Sequence, residues 1–223
     1  MNYKQIIFKH STIVGILTSI YNKINIHNKI RRGKHNEIKM NAVLCNNLNI
    51  VINGENNIIK IGKFSRIRDT KIYIYGNNNI IEIGERCFIN KTEFYIEDDY
   101  NKIKVGRHTS MDGPTHLATI ESTEINVGED CMFSSNVNIR TGDSHSIMNL
   151  TGERINPSHD IIIGNHCWIG LNTILLKNTQ VADNSIIGAA SVVTKKFNDS
   201  NVIIAGNPAK VIKGDITWKR ERK

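Results

Sequence analysis

The stretch Ile163-Gly164-Asn165-His166-Cys167-Trp168-Ile169-Gly170-Leu171-Asn172-Thr173-Ile174-Leu175 decides the fold. Apolar residues recur in it at every sixth position, and the rhythm continues through Val181, Ile187 and Val193. Four residues after each of these except Val193 stands a small or compact one: Cys167, Thr173, Thr179, Ser185 and Ser191. A strand alternates with period two and a helix with period 3.6, so strict sixes require short straight segments joined by regular corners. Three six-residue sides make an 18-residue coil. Coils stacked at about 4.8 Å put the sixfold apolar position inside a narrow prism, where only a small second residue also fits.

Working outward, the same step gives Val127, Phe133 and Ile139, and before that Val105, Met111 and Leu117. An Ile/Val-Gly pair recurs at Ile61-Gly62, Ile83-Gly84, Val105-Gly106, Val127-Gly128 and Ile163-Gly164, with spacings of 22, 22, 22 and 36 residues. A period of this size marks a solenoid. The 22-residue steps read as a coil plus a four-residue corner, and Gly76-Asn77-Asn78-Asn79 and Asp98-Asp99-Tyr100-Asn101 have the composition of such corners. The 36-residue step equals two coils, yet positions 145, 151 and 157 hold His, Thr and Pro. The rhythm fails there, and the polar stretch from Gly142 to Asp160 reads as a loop extruded from a rigid scaffold, where reactive groups are usually placed. Handedness does not follow from this arithmetic, and the general rule for parallel crossovers favours the right hand.

The 223 residues suit one main domain. Cys45, Cys87, Cys131 and Cys167 form no CxxC pair, and three of them occupy the small-residue position, so they read as packing residues of a reduced, intracellular protein. The net charge of +8 fits either a solvated lysine-rich surface with a basic tail (Lys219 to Lys223) or an anionic ligand such as a phosphorylated cofactor, an acidic polysaccharide or a membrane surface. Nucleic acid is not expected, because no binding module gathers the basic and aromatic residues. The first residues lack a signal-peptide pattern, and the apolar stretch Ser11 to Tyr21 is too short to span a bilayer. Ile6, Ile13, Ile16, Leu17 and Ile20 share one face of a helix there, for which core or subunit packing is the ordinary reading and membrane-surface attachment the alternative.

Thr141-Gly142-Asp143-Ser144-His145 opens the loop, the tryptophan-bearing coil follows it, and the chain continues as Asn184-Ser185-Ile186-Ile187-Gly188-Ala189-Ala190-Ser191-Val192-Val193-Thr194-Lys195 and Val202-Ile203-Ile204-Ala205-Gly206-Asn207-Pro208-Ala209-Lys210-Val211-Ile212-Lys213. This pattern resembles the hexapeptide-repeat acetyltransferases, and within them the O-acetyltransferases of capsular and other bacterial polysaccharides. The resemblance is specific from about residue 125 to 213, diffuse from about 48 to 124 and absent from the N-terminal segment. Leu171, where many relatives have a small or polar residue, and Ala190, in place of the commoner Gly, depart from it.

The resemblance implies a left-handed parallel β-helix over residues 46–197 with loop 142–160, a partly helical accessory segment at 1–45, and a cofactor-contacting segment with a basic tail at 198–223. It implies acetyl-CoA as donor, a sugar hydroxyl of a surface polysaccharide or its precursor as acceptor, a homotrimer with sites between adjacent subunits, and no metal. It places the protein in the cytoplasm, with the inner face of the cell membrane as an alternative station. An alcohol attacking a thioester must lose its proton, and an imidazole suits that near neutral pH; His145 is the candidate base, with Asp143 as its candidate orienting group. Trp168 is expected beside the acyl-pantetheine and the acceptor, and a backbone N–H near Gly170-Leu171 is expected to face the developing oxyanion. Gly188, Ala189, Thr194, Lys195 and Pro208 are expected along the cofactor, with Lys210 and Lys213 towards its phosphates. Asp112 and His116 are candidates for the acceptor side or simply surface residues, while His108, His159 and His166 have no interpretable partner spacing. The three-histidine zinc site of a γ-type carbonic anhydrase, which shares this scaffold, cannot be assembled. N-acetylation of an amino-sugar nucleotide and a non-catalytic assembly or glycan-binding role remain as alternatives.

Overall fold

The structure, a computed structural model, describes residues 11–221. Ile6 of the expected helix face and the tail residues 222 and 223 lie outside the described residues. The chain winds into a parallel β-solenoid. One sheet has eight strands, one per coil: Glu37–Met40, Ile58–Ile61, Ile80–Ile83, Lys102–Val105, Glu124–Val127, Ile161–Ile163, Gln180–Val181 and Lys196–Phe197. The other sheet begins with the short strand Lys29–Arg32 and continues in ten-residue strands bent over two sides, such as Arg66–Tyr75 and Phe88–Glu97. From Met132–Phe133 and Val137–Arg140 onward the two sides are separate short strands.

The sixfold apolar residues stack in register. Ile50, Ile72, Phe94, Leu117, Ile139, Leu175 and Val193 pair coil on coil, and all are buried. The small residues Ser65, Thr109, Cys131, Cys167, Thr173, Thr179, Ser185 and Ser191 are buried between such columns. Burial pushes the Cys45 thiol up to about 12 and that of Cys87 to about 11, which suits packing rather than nucleophilic chemistry. The Ile/Val-Gly pair recurs because the coils touch there. A Cβ on Gly62 or Gly84 would lie 2.5 Å from the backbone nitrogen of Glu85 or Arg107.

Two details of the arithmetic differ. Val127 pairs directly with Ile163, so the 36-residue step is one coil with a long loop, not two coils. The long coils are shorter on one side, five residues from Ile67 to Ile72 against six from Ile169 to Leu175, and regain more than the difference at the Gly76 and Asp98 corners. Inside that corner runs an asparagine ladder that composition alone presents as turn. Backbone nitrogens of Asn57, Asn79, Asn101 and Thr123 donate to the side-chain oxygens of Asn36, Asn57, Asn79 and Asn101, one coil earlier, at 2.7–3.0 Å. Coil stacking already includes Lys29–Arg32, ahead of the boundary expected at residue 46, and continues to Ile203–Gly206, beyond that expected at 197.

The helix Ser11–Ile24 lies against the first coil, but not by its apolar face. Asn22 makes the attachment, its amide donating to Val43 O and accepting from Cys45 N. Ile13, Ile16, Leu17 and Ile20 are exposed, so core packing within the chain is not their role.

Candidate functional site

The loop 142–160 is a braced hairpin. His159 N donates to Thr141 O at its base, Ile155 N donates to Ile147 O and Asn149 N to Glu153 O along it, and Met148 faces Arg154 in an antiparallel bridge. Asn156, buried among these strands, is the internal pin. Its amide donates to Asp143 Oδ2 at 2.9 Å and to His145 O at 2.8 Å, and its oxygen accepts from Ile147 N at 2.7 Å. Lys177, on the next coil, donates to Asp143 Oδ2 at 2.6 Å and to Asn156 O at 3.1 Å. Arg154 pairs with Glu121 at 2.6 Å, anchoring the other arm to the preceding coil.

His145 therefore stands on a fixed backbone with its imidazole exposed, and the ring makes no hydrogen bond or ion pair with any described residue. Asp143 does not reach it. Its carboxylate is taken by Lys177 and Asn156, and the Lys177 ammonium foremost holds the carboxyl below the usual range. The carboxylate thus orients the loop rather than the ring. Asn156 and Lys177 carry no motif; the partners of Asn156 meet it only when the loop closes, and those of Lys177 only when the coils stack.

Trp168 sits on another side of the prism, in register between Met132 and Ile186, and its indole is 37% exposed. Within one chain it does not meet His145. Its edge faces Trp218, which is buried and stacked on His166 at 4.2 Å with an interplanar angle of 10°. The Trp218 indole donates to His166 O at 2.8 Å. His166 Nδ1 lies 2.7 Å from Asp130 Oδ2, and Arg220 binds Asp130, Ser110 Oγ and Cys131 O. The tail beyond residue 213 is therefore a strap folded back over the coils beside Trp168. His166, without a readable partner in sequence, holds it from a left-handed corner position (φ 51°).

Gly170 N–H is bonded to Ile187 O, so of the expected pair only Leu171 offers a backbone donor; Leu171 N–H has no acceptor among the described residues. Gly188 N–H is likewise bonded, to Ile204 O. Ala189, Thr194, Pro208, Lys210 and Lys213 are exposed at the C-terminal end, where Ala209–Lys213 turns back antiparallel on Ile203–Gly206. Lys195 lies 5.3 Å over the Phe197 ring. Ala190 has φ 56°, the region glycine enters without cost, which accounts for glycine being the commoner residue at that corner. His116 is half-buried on Glu93 at 3.3 Å; burial, with Arg140 beside it, pushes its imidazole below the usual histidine range against the pull of Glu93. Asp112 accepts from Asn90. Among the described residues no three His, Cys, Asp or Glu side chains gather as a metal set.

No protein-family model matches the chain. The chain is 35% identical over 110 residues to the polysialic acid O-acetyltransferase of Neisseria meningitidis, covering 49% of this chain and 51% of that one. It is 34% identical over 100 residues to the galactoside O-acetyltransferase of Escherichia coli K12, covering 44% and 48%. These matches span about half the length of the curated relatives. The solved structure of the polysialic acid O-acetyltransferase OatWY superposes over 88% of this chain and 92% of its own, with 32% identity and a TM-score of 0.83. With near-complete coverage of that relative added to the stacked six-residue repeat, the chain belongs to the hexapeptide-repeat, left-handed β-helix acetyltransferases, close to those that modify capsular polysaccharides.

Proposed function

We propose that this protein is an O-acetyltransferase that moves the acetyl group of acetyl-CoA to a sugar hydroxyl of a capsular or other surface polysaccharide or its precursor. The observation that carries this reading is the braced loop presenting a His145 imidazole without a partner among the described residues, above a scaffold that superposes on 92% of a solved polysialic acid O-acetyltransferase chain. In the reaction, neutral His145 accepts the hydroxyl proton as the oxygen attacks the thioester carbon. The oxyanion formed meets the Leu171 N–H, and the protonated imidazole returns its proton to the departing CoA thiolate. No covalent enzyme intermediate is required. Ala189, Thr194 and Pro208 line the donor's path, with Lys195, Lys210 and Lys213 towards its phosphates.

A homotrimer supports this chemistry, because one chain holds His145 and Trp168 on different sides of its prism. The hairpin tip also displays Ile147, Met148, Leu150 and Ile155, all more than half exposed, as a face suited to a neighbouring copy. The acceptor side would be reached over the coils before the loop, where Asp112 and His116 lie. A cytoplasmic station belongs to the same reading.

Calorimetric titration with acetyl-CoA, followed by thiol release in the presence of capsular oligosaccharides, tests the proposal. Saturable binding and acceptor-dependent thiol release are expected. Absence of both in folded protein would favour a non-catalytic β-helix.

A further inference from the structure

The helix Ser11–Ile24 is packed inside out. Gly15, Thr18 and Asn22 turn towards the first coil, where Asn22 bonds Val43 and Cys45 and Gly15 abuts Asn41. The opposite arc carries Ile13, Ile16, Leu17, Ile20 and Ile24, which are 53–70% exposed. An amphipathic helix covering its own core would show the reverse arrangement. In sequence, the charge around this arc has one sign. Residues 1–36 contain seven Lys and Arg and no Asp or Glu, the first acid being Glu37. Lys29–Arg32 is an edge strand with every residue exposed, Ile30 among them. No helix among the described residues is long and apolar enough to cross a membrane.

We infer that this end of the solenoid docks on an anionic lipid surface, with the isoleucine arc in the interface and Lys23, Lys29, Arg31, Arg32 and Lys34 against the headgroups. Shallow burial of five aliphatic side chains is weak alone, and so is a short basic strand alone. Together they supply the apolar and electrostatic signals that peripheral attachment requires. A second copy of the chain is the poorer occupant, since mating two such faces brings two basic clusters together. The surface lies at the end of the solenoid opposite the proposed donor segment, so docking leaves the loop and the donor end open to the solvent. The inference does not depend on the acetyl-transfer reading.

The test is flotation of the full chain with vesicles of phosphatidylcholine alone or mixed with phosphatidylglycerol. The wild type is expected to float only with the anionic vesicles and to be released by salt. Leu17→Ser/Ile20→Ser and Arg31→Ser/Arg32→Ser are each expected to lower partitioning about tenfold or more. All substituted positions are exposed, so circular dichroism and thiol release with a soluble acceptor should match the wild type. Failure of the wild type to float, or equal flotation of the Leu17→Ser/Ile20→Ser variant, overturns the proposal. So does lipid-free, concentration-dependent association that this same variant abolishes while vesicles stay unbound. Loss of thiol release with flotation intact would count against the enzyme reading and leave this one standing.

Discussion

His166 Nδ1 and Asp130 Oδ2 lie 2.7 Å apart, although 36 residues separate them. Both hold the same left-handed corner position on consecutive coils, with φ of 51° and 55°, and the extruded loop accounts for the intervening chain. On this pair the C-terminal strap closes, through Trp218 against the imidazole and Arg220 against the carboxylate.

Arg220→Ala is therefore expected to release the strap rather than unfold the solenoid. It removes bonds to Asp130, Ser110, His108 and Cys131 at a cost of about 1–2 kcal/mol, since the guanidinium is partly solvated. Trp218 is 6% exposed, so its fluorescence should shift to the red in the variant. Unchanged emission would mean that the Trp218 and Ile216–Thr217 contacts hold the strap without Arg220.

Acid should loosen the same contact. Burial opposes ionisation of Asp130, but the His166 and Arg220 hydrogen bonds outweigh it and hold its carboxyl below the usual range. Asp143, beside Lys177, is held down likewise. A carboxyl lowered on folding contributes stability that is present above its unfolded value, about 3.9, and is lost as pH falls through the folded value. Thermal midpoints should fall between about pH 5 and the acid limit, and less steeply in Asp130→Asn. Equal slopes in the two proteins would show that Asp130 is not linked to folding.

The buried asparagine ladder predicts a cost out of proportion to its turn-like composition. Asn79→Ala leaves the Asn101 N–H and the Asp98 carbonyl without their partners, for a loss of about 2–4 kcal/mol in urea unfolding. Asn77→Ala, whose side chain bonds at the partly exposed corner, should cost less. Similar costs for the two would remove the distinction between ladder and corner.

These cases mark what can be read from sequence. The six-residue columns, the buried small residues and the extruded loop follow from periodicity, because each is a local pattern repeated along the chain. The left hand came only from resemblance. The ladder was hidden because asparagine is also the ordinary turn residue, and its inward position depends on register. Asn156, Lys177, His166 and Arg220 are illegible for a related reason: their non-local partners lie 9 to 112 residues away and meet only once the loop has closed and the coils have stacked.

The loop makes a prediction of its own. Under the proposed function, with His145 as base, Asp143, Lys177 and Asn156 would act on it by holding its backbone, as positioning residues. Asp143→Ala and Lys177→Ala should lower acetyl transfer by similar factors, and the double variant should lose less than the sum, because the two side chains share one bond and each makes one more to Asn156. The pH profile should keep its shape. A displaced apparent pKa in Asp143→Ala would instead place the carboxylate in direct contact with the working imidazole.

The central claim is most directly tested by product analysis with acetyl-CoA and an acidic capsular oligosaccharide, comparing the wild type with His145→Ala. The wild type should form an acetylated product that mild alkali cleaves, as an ester requires. The variant should bind acetyl-CoA equally well and form product about 10²–10⁴-fold more slowly. An alkali-stable product would contradict oxygen transfer, and full activity in the variant would contradict His145 as the base.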